Sequence, residues 1–532
     1  MKTLYINGRI FTGELPLQDS FAVENGRFAS PEKADVTVDL HGAFVCPGFI
    51  DSHMHVLNYG SAMRQCDLSA ATGSMQQLQE ALRQHMDRLP PDAWVLGRGW
   101  NQDYFVPASG MPTRAELDAV TTEHPVCIVR CCGHCLSVNS RALEVLDIDE
   151  NIAVPDGGSV DVDENGRLTG VFRDSAMTLV QSRLPVPALQ DVKQMMKAAM
   201  QKLSSVGVTS CHTDDLCTFD NVPWRTVLQA YRELEEAGEM TVRVYEQSQL
   251  TTPEELRAFL AEGYKTGVGS EWFKIGPLKM LGDGSLGART AYLSGSYADA
   301  PGEKGIPIFT QEQFDEMIGM AHAGGMQVAV HAIGDGILDR VLHAYKRAFA
   351  ASAPRDHRSG IVHVQLTRPD QWQRMKEMNL HAYVQSIFLD YDTPIVHERA
   401  GEELASTSYA FHTLKEMGLH VSNGTDCPVE KPDPMRGIQC AVTRQPLDGS
   451  LPPYGPQEKM TVEEALRSYT AEGAYASFEE HFKGKIQPGM AADFVILSAN
   501  PFEVPAQQLS SIRALATYVN GQMVYQEKEV LS

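Results

Sequence analysis

Two periodicities alternate along most of the chain. Short apolar runs recur between longer segments whose apolar residues return at helical spacing, the pattern of buried strands alternating with amphipathic helices. Eight strands are predicted, at residues 48–55, 208–214, 242–250, 273–280, 327–333, 360–365, 381–386 and 420–426. Between the first two of these, Leu189, Val192, Met196, Ala199 and Leu203 share one face of a helix that Gly207 stops. Capping boxes are expected at Thr252 with Glu255, Thr310 with Gln313 and Thr461 with Glu464, where an acceptor and its reciprocal partner stand three residues apart.

The ends follow a different pattern. Asn7-Gly8, Asn25-Gly26 and Asn520-Gly521 each sit between short β-rich stretches and predict hairpins. The run from Ala492 to Leu497 adds a further strand, so both ends are expected to build one small β-sandwich. The organisation expected is α/β: a (β/α)8 TIM-like barrel at 48–483, with the sandwich formed by 1–47 and 484–532. A stretch at about 94–182, rich in Gly and Pro, breaks the alternation and reads as an insertion after the first strand, where loops carry substrate contacts.

Composition narrows the partner. With 532 residues, 43% of them hydrophobic and 21% charged, the chain is a large ordinary globule, and no apolar run is long enough for a membrane span. A formal net charge of −23 disfavours nucleic acid and anionic membrane surfaces, leaving a small molecule as the expected ligand and self-association into a homo-oligomer open. The N-terminal residues turn polar before a signal-peptide core forms, which predicts a cytoplasmic protein. Ten scattered cysteines fit reduced thiols, and the cluster Cys131, Cys132 and Cys135 is read as buried packing.

The chemistry begins at His53-Met54-His55, where period two on a strand sends both imidazoles to one face, as two ligands of one metal require. Lys279, His331, His363 and Asp426 fall at the C-terminal ends of later strands, where barrel enzymes keep their catalytic groups. His85, His357 and His481 fall in helices or loops and are expected to be solvated.

The segment Pro47-Gly48-Phe49-Ile50-Asp51-Ser52-His53-Met54-His55 resembles the first-strand motif of the amidohydrolase superfamily, specifically amidohydrolase family 3, which includes N-substituted formamide deformylases. The stretch from Lys279 through Gly282-Asp283-Gly284-Ser285 to Arg289-Thr290-Ala291 is similar to the family's fourth-strand signature, and His331-Ala332-Ile333-Gly334-Asp335 to its fifth. Gly97-Arg98-Gly99-Trp100, Gly133-His134 and Gly166-Arg167-Leu168-Thr169-Gly170 match within the inserted stretch. Two departures stand out: Val362 precedes His363 where Glu is commoner, and Thr425 precedes Asp426 where Ser is usual.

The resemblance implies hydrolysis of a non-peptide carbon–nitrogen bond, amide or formamide, in a small molecule. It implies one or two divalent ions, zinc by default, with His53 and His55 on one, His331 and His363 on another, and Asp426 on a metal and acting on the water. Lys279 would be carboxylated and bridge, because an ammonium cannot ligate a cation whereas a carbamate can. The plain alternatives are Lys279 paired with Asp283 and Asp426 as a helix cap before Pro428. Trp100, His134 and Arg289 are candidate substrate contacts, or else packing residues, Arg289 pairing with an acid such as Asp283. Rival functions are a one-metal deaminase, a cyclic-amide hydrolase, and a non-catalytic binding or regulatory protein on the same scaffold. Deaminases of this type carry a Glu three residues after the fifth-strand His, and here that position is Gly334.

Overall fold

The computed structural model describes residues 1–69, 73–131, 134–155 and 157–527. Two compact units result, one made of Met1–Tyr59 with Leu189–Ser532, the other of Gly60–Ala188.

Eight parallel strands form the heart of the first unit: Phe49–Met54, Val208–Thr213, Arg243–Gln249, Phe273–Leu281, Val328–Ala332, Gly360–His363, His381–Val384 and Val421–Asn423. They are hydrogen-bonded in chain order, each joined to the next by a crossover, as the right-handed βα unit dictates. All eight expected strands are present, and the fold is the expected TIM-like barrel. Most strand residues are buried because helices cover the outer face while side chains fill the inner one.

The first and last strands meet through Asp426 N–H donating to the His53 carbonyl and His55 N–H donating to the Cys427 carbonyl, both at 2.8 Å. Asp51 reinforces this seam, its buried carboxylate accepting from Thr425 N–H at 3.0 Å and Thr425 Oγ1 at 2.5 Å. The unusual Thr425 therefore clamps the eighth strand to the first.

Helix Leu189–Ser204 buries Val192, Met196, Ala199 and Leu203, and Gly207 follows with φ +86°, a conformation glycine adopts without strain. The boxes at Thr310 and Thr461 are complete. At Thr252 only half forms: the hydroxyl caps Glu255 N–H, but the Glu255 carboxylate reaches one residue further back, to Thr251 N–H.

The chain ends contribute two sheets that share a core of Tyr5, Phe21, Phe28, Val45 and Phe494. One holds Lys2–Ile6, Phe21–Glu24, Arg27–Ala29 and Val36–Asp39. The other holds Arg9–Ile10, Phe44–Pro47, Phe494–Leu497, Ala514–Val519 and Gln522–Gln526, and so draws on both ends of the chain. Asn25-Gly26 and Asn520-Gly521 are two-residue hairpin turns, with Glu24 opposite Arg27 and Val519 opposite Gln522. Asn7-Gly8 is not a hairpin: Lys2–Ile6 and Arg9–Ile10 enter different sheets, and the turn hands the chain from one to the other. Arg243 ties barrel to sandwich, its guanidinium gripping Asp493 at 2.7 and 3.1 Å with both side chains at most 4% exposed.

The second unit is built on a six-stranded sheet with its own hydrophobic cores, and the irregular 94–182 stretch lies wholly inside it. Helix Met75–Met86 buries Leu78 and Leu82 in one of these cores. Cys135 is buried there, but Cys131 is exposed, against the expectation of packing; Cys132 and Gly133 lie outside the described residues. Among the described residues no helix is long and apolar enough to cross a membrane.

Candidate functional site

All eight barrel strands deliver a polar side chain to, or just beyond, their C-terminal ends. In strand order these are His53 with His55, Asp214, Gln247, Lys279, His331, His363, Gln385 and Asp426. The run from strand to loop aims several of them: His363 and Asp426 take φ +80° and +57°, so the backbone turns sharply where each side chain is presented.

The rings are close packed, with centroids 5.2 Å apart for His53 and His55, 5.6 Å for His53 and His363, and 4.4 Å for His331 and His363. Asp426 Oδ1 lies 2.8 Å from His55 Nε2 and 3.4 Å from His53 Nε2. Three of these histidines are gripped from behind. Gln247 Oε1 stands 2.7 Å from His53 Nδ1, Gln385 Oε1 2.7 Å from His363 Nδ1, and Asp214 Oδ1 closes on His55 Nδ1. An oxygen acceptor there fixes the proton on Nδ1 and leaves the Nε2 lone pair facing the centre, the tautomer a metal ligand needs.

The donor set fits a divalent cation. His53, His363 and Asp426, all buried, present ligand atoms within 4.8 Å of one another, as do His53, His55 and Asp214. A third group, His412, Glu416 and Glu464, is partly exposed, and Lys415 already occupies a Glu464 oxygen at 2.7 Å.

Electrostatics agree. Burial, with Lys279 nearby, pushes His53 down to about 3, and burial with His331 holds His363 well below its usual range, so both are neutral ligands. His55 differs: burial acts against charge, but Asp214 and Asp426 on either side of it outweigh that and raise it to about 10, so its Nε2 also holds a proton that a bound cation would displace. Despite burial, His55 and Lys279 hold Asp214 well below the carboxylate range, and His55 does the same for Asp426.

Of the residues expected from sequence, His53, His55, His363 and Asp426 fall in these groups; His331 packs its ring on His363 but its Nε2 lies 3.1 Å from the Gly284 carbonyl oxygen and 3.2 Å from Asp283 Oδ1, and Lys279 reaches the centre through Asp214. Lys279 pairs with Asp214 at 2.7 Å and not with Asp283, whose carboxylate is occupied by the N–H groups of Tyr292, Ile333 and Gly334. Asp426 caps no helix, since the helix Pro434–Thr443 that follows is capped by Asp433. Arg289 is held by Asp299 at 2.6 Å, again not by Asp283. In the other unit Trp100 is fully buried in a hydrophobic core, and His134 is exposed beside Asp174 at 3.3 Å. His481 is solvated as expected, but His85 and His357 are half-buried, His357 stacked on Phe349. Val362, in place of the commoner Glu, is fully buried in a small apolar cluster with Ala329, Tyr383 and Ala476.

Sequence reasoning missed Asp214, Gln247 and Gln385. Each lies within or at the end of an expected strand, so a search of every polar residue at those ends would have found them.

A buried centre of imidazoles and carboxylates at the C-terminal ends of a parallel barrel defines a metal-dependent hydrolase. Residues 36–525 match the model of the amidohydrolase family. Over 502 residues the chain is 32% identical to the "Putative amidohydrolase YtcJ" of Bacillus subtilis, covering 94% of this chain and 92% of that one. It is 24% identical to the N-substituted formamide deformylase of Arthrobacter pascens, covering 94% and 91%. An uncharacterised metal-dependent hydrolase of Pyrococcus horikoshii shares its fold with a TM-score of 0.79 at 29% identity, covering 95% of this chain and 99% of that one. The chain belongs to the amidohydrolase family and is a metal-dependent hydrolase acting on a carbon–nitrogen bond.

Proposed function

We propose that the protein hydrolyses a non-peptide amide or formamide bond of a small molecule, using one or two divalent ions, zinc by default. His53, His55, His331, His363 and Asp426 would hold them, with Lys279 as a carboxylated bridge. The observation that carries this reading is the buried set His53, His363 and Asp426, whose ligand atoms lie within 4.8 Å of each other. The formamide deformylase relative supports the bond type. Bound here, a divalent cation would bring the pKa of a water down to near neutrality and would polarise a carbonyl.

The protein's own groups do the rest. Asp426, kept ionised, accepts a proton from the attacking water and delivers it to the leaving nitrogen, so that an amine departs as the C–N bond breaks and the acid remains. Gln247 and Gln385 keep the Nε2 atoms of His53 and His363 unprotonated. Arg289 is offered as a substrate contact, its guanidinium steadied by Asp299.

A deaminase is disfavoured by Gly334. A Cβ at that position would sit 2.1 Å from the Tyr292 carbonyl oxygen, leaving no room for a proton-carrying Glu. The test is metal analysis of the purified protein with a panel of amides, formamides and cyclic amides. One to two transition-metal ions per chain and hydrolysis that chelation abolishes are expected. Full activity after exhaustive metal removal refutes the reading, and a metal-replete protein inert on the whole panel returns the binding or regulatory reading.

A further inference from the structure

Asp214 joins the two sides of the centre, and neither of its contacts was visible in the sequence. It stands just past the second strand with no exposed side-chain surface. Oδ2 lies 2.7 Å from Lys279 Nζ, and Oδ1 closes on His55 Nδ1 as an ion pair, while His55 Nε2 faces Asp426. Its neighbours hold the backbone that carries His55: Thr213 Oγ1 accepts from Val56 N–H and Asp215 Oδ1 from Leu57 N–H, both at 2.8 Å. Three consecutive residues thus fix the ring and the two peptides after it.

We propose that Asp214 is the positioning residue of the metal centre, holding His55 in the tautomer that leaves Nε2 free to ligate and holding Lys279 Nζ where a carbamate faces the ions. The inference rests on the metallohydrolase reading above. One carboxylate meets both demands because it only accepts hydrogen bonds. His55 Nδ1 must donate to it. Lys279 Nζ donates as an ammonium, and it still donates after modification: carbon dioxide adds to the neutral amine, an N–C bond replaces one N–H, one proton leaves to water, and one N–H remains. Charge repulsion then turns the carbamate oxygens away from Asp214 and toward the centre. Asparagine is no substitute, since the two partners meet different oxygens and its NH2 group would put a donor against one of them.

The test uses the full chain, stripped by chelator, and zinc alone as probe, with binding read by equilibrium dialysis. Asp214→Asn and Asp214→Ala should each bind zinc about 10- to 100-fold more weakly, the usual effect of removing a group that orients a ligand. Added formate should recover much of the loss in Asp214→Ala by refilling the vacated space, whereas chloride at the same concentration should not. If Asp214→Ala does not fold, Asp214→Asn, which keeps size and one acceptor, decides the matter. Wild-type zinc affinity in Asp214→Asn overturns the proposal. So does complete loss of zinc in Asp214→Ala that formate leaves untouched, which makes Asp214 a ligand itself. No substrate enters this measurement, so a protein that binds zinc normally but hydrolyses nothing counts against the amide-hydrolysis reading and not against this one.

Discussion

Gln385→Leu isolates the part of the centre that is neither ligand nor charge. Gln385 Oε1 is 2.7 Å from His363 Nδ1, and the two residues are 1% and 2% exposed, so no water replaces the lost acceptor. Leucine is close in size and offers no hydrogen bond. In the metal-free variant the ring relieves the loss by moving its proton to Nε2, and binding must then return that proton to an unpartnered, buried Nδ1. An unsatisfied buried donor costs about 1–3 kcal/mol, which at 1.4 kcal/mol per tenfold is a zinc affinity about 5- to 150-fold weaker. Gln385→Glu restores an acceptor oxygen in the same place and should stay within a few-fold of wild type. The assay is competition for zinc against a fluorescent chelator at fixed pH, with thermal unfolding of the stripped proteins as a check on folding. A Leu variant within twofold of wild type, or equal losses in Leu and Glu, would show that the carboxamide does not set the tautomer.

Three further outcomes are expected. Arg243→Met should destabilise the first unit by about 3–5 kcal/mol by leaving Asp493 buried without its partner, and Arg243→Met/Asp493→Leu should recover much of it; urea unfolding with no gain in the double variant contradicts this. Asp426→Asn should retain a metal but lose about 100- to 10,000-fold in kcat, about 3–5 kcal/mol, with kcat/KM falling in step; unchanged kcat with a raised KM makes Asp426 a positioning group. Burial, with Lys483 nearby, depresses His212 to about 3, beside Tyr245 and Tyr383. The unfolded chain protonates this ring first, so its contribution to stability is present above about pH 6.5 and is lost as pH falls toward the folded value. His212→Phe should therefore flatten the acid limb of the unfolding curve, and an unaltered limb refutes the assignment.

What the sequence disclosed depended on how local each signal was. His53 and His55 were legible because period two on a strand is a property of three adjacent residues. His331, His363 and Asp426 were legible because a strand end can be located from its hydrophobic run. The partner of Lys279 was not: Asp283 is four positions away in the chain, but the strand order puts Asp214 beside the ammonium. Gln247 and Gln385 drew no attention because glutamine carries no charge and ligates poorly, and their value lies only in the histidine each one faces. Asn7-Gly8 has the composition of a hairpin turn, and only the pairing of its flanking strands with Phe21–Glu24 and Phe44–Pro47 shows that it is a crossing between sheets. The short eighth strand was expected to run to Asp426 but ends at Asn423: Gly424 N–H still reaches the Val384 carbonyl, and from Thr425 the backbone turns to Asp51 and the first strand.

The sheet shared by the two ends imposes an order on biosynthesis. Phe44–Pro47 pairs with Phe494–Leu497, Pro47 lying opposite Phe494, and the next residue, Gly48, donates its N–H to the Asp493 carbonyl. A nascent chain thus exposes this strand and the adjoining barrel strand until roughly 450 further residues have been made, about 20–90 s at ordinary elongation rates. Contacts so distant along the chain raise the contact order and slow folding. The molecule must keep an unpaired apolar edge from aggregating for the whole of that interval, and cutting away the last strands would leave the edge open permanently.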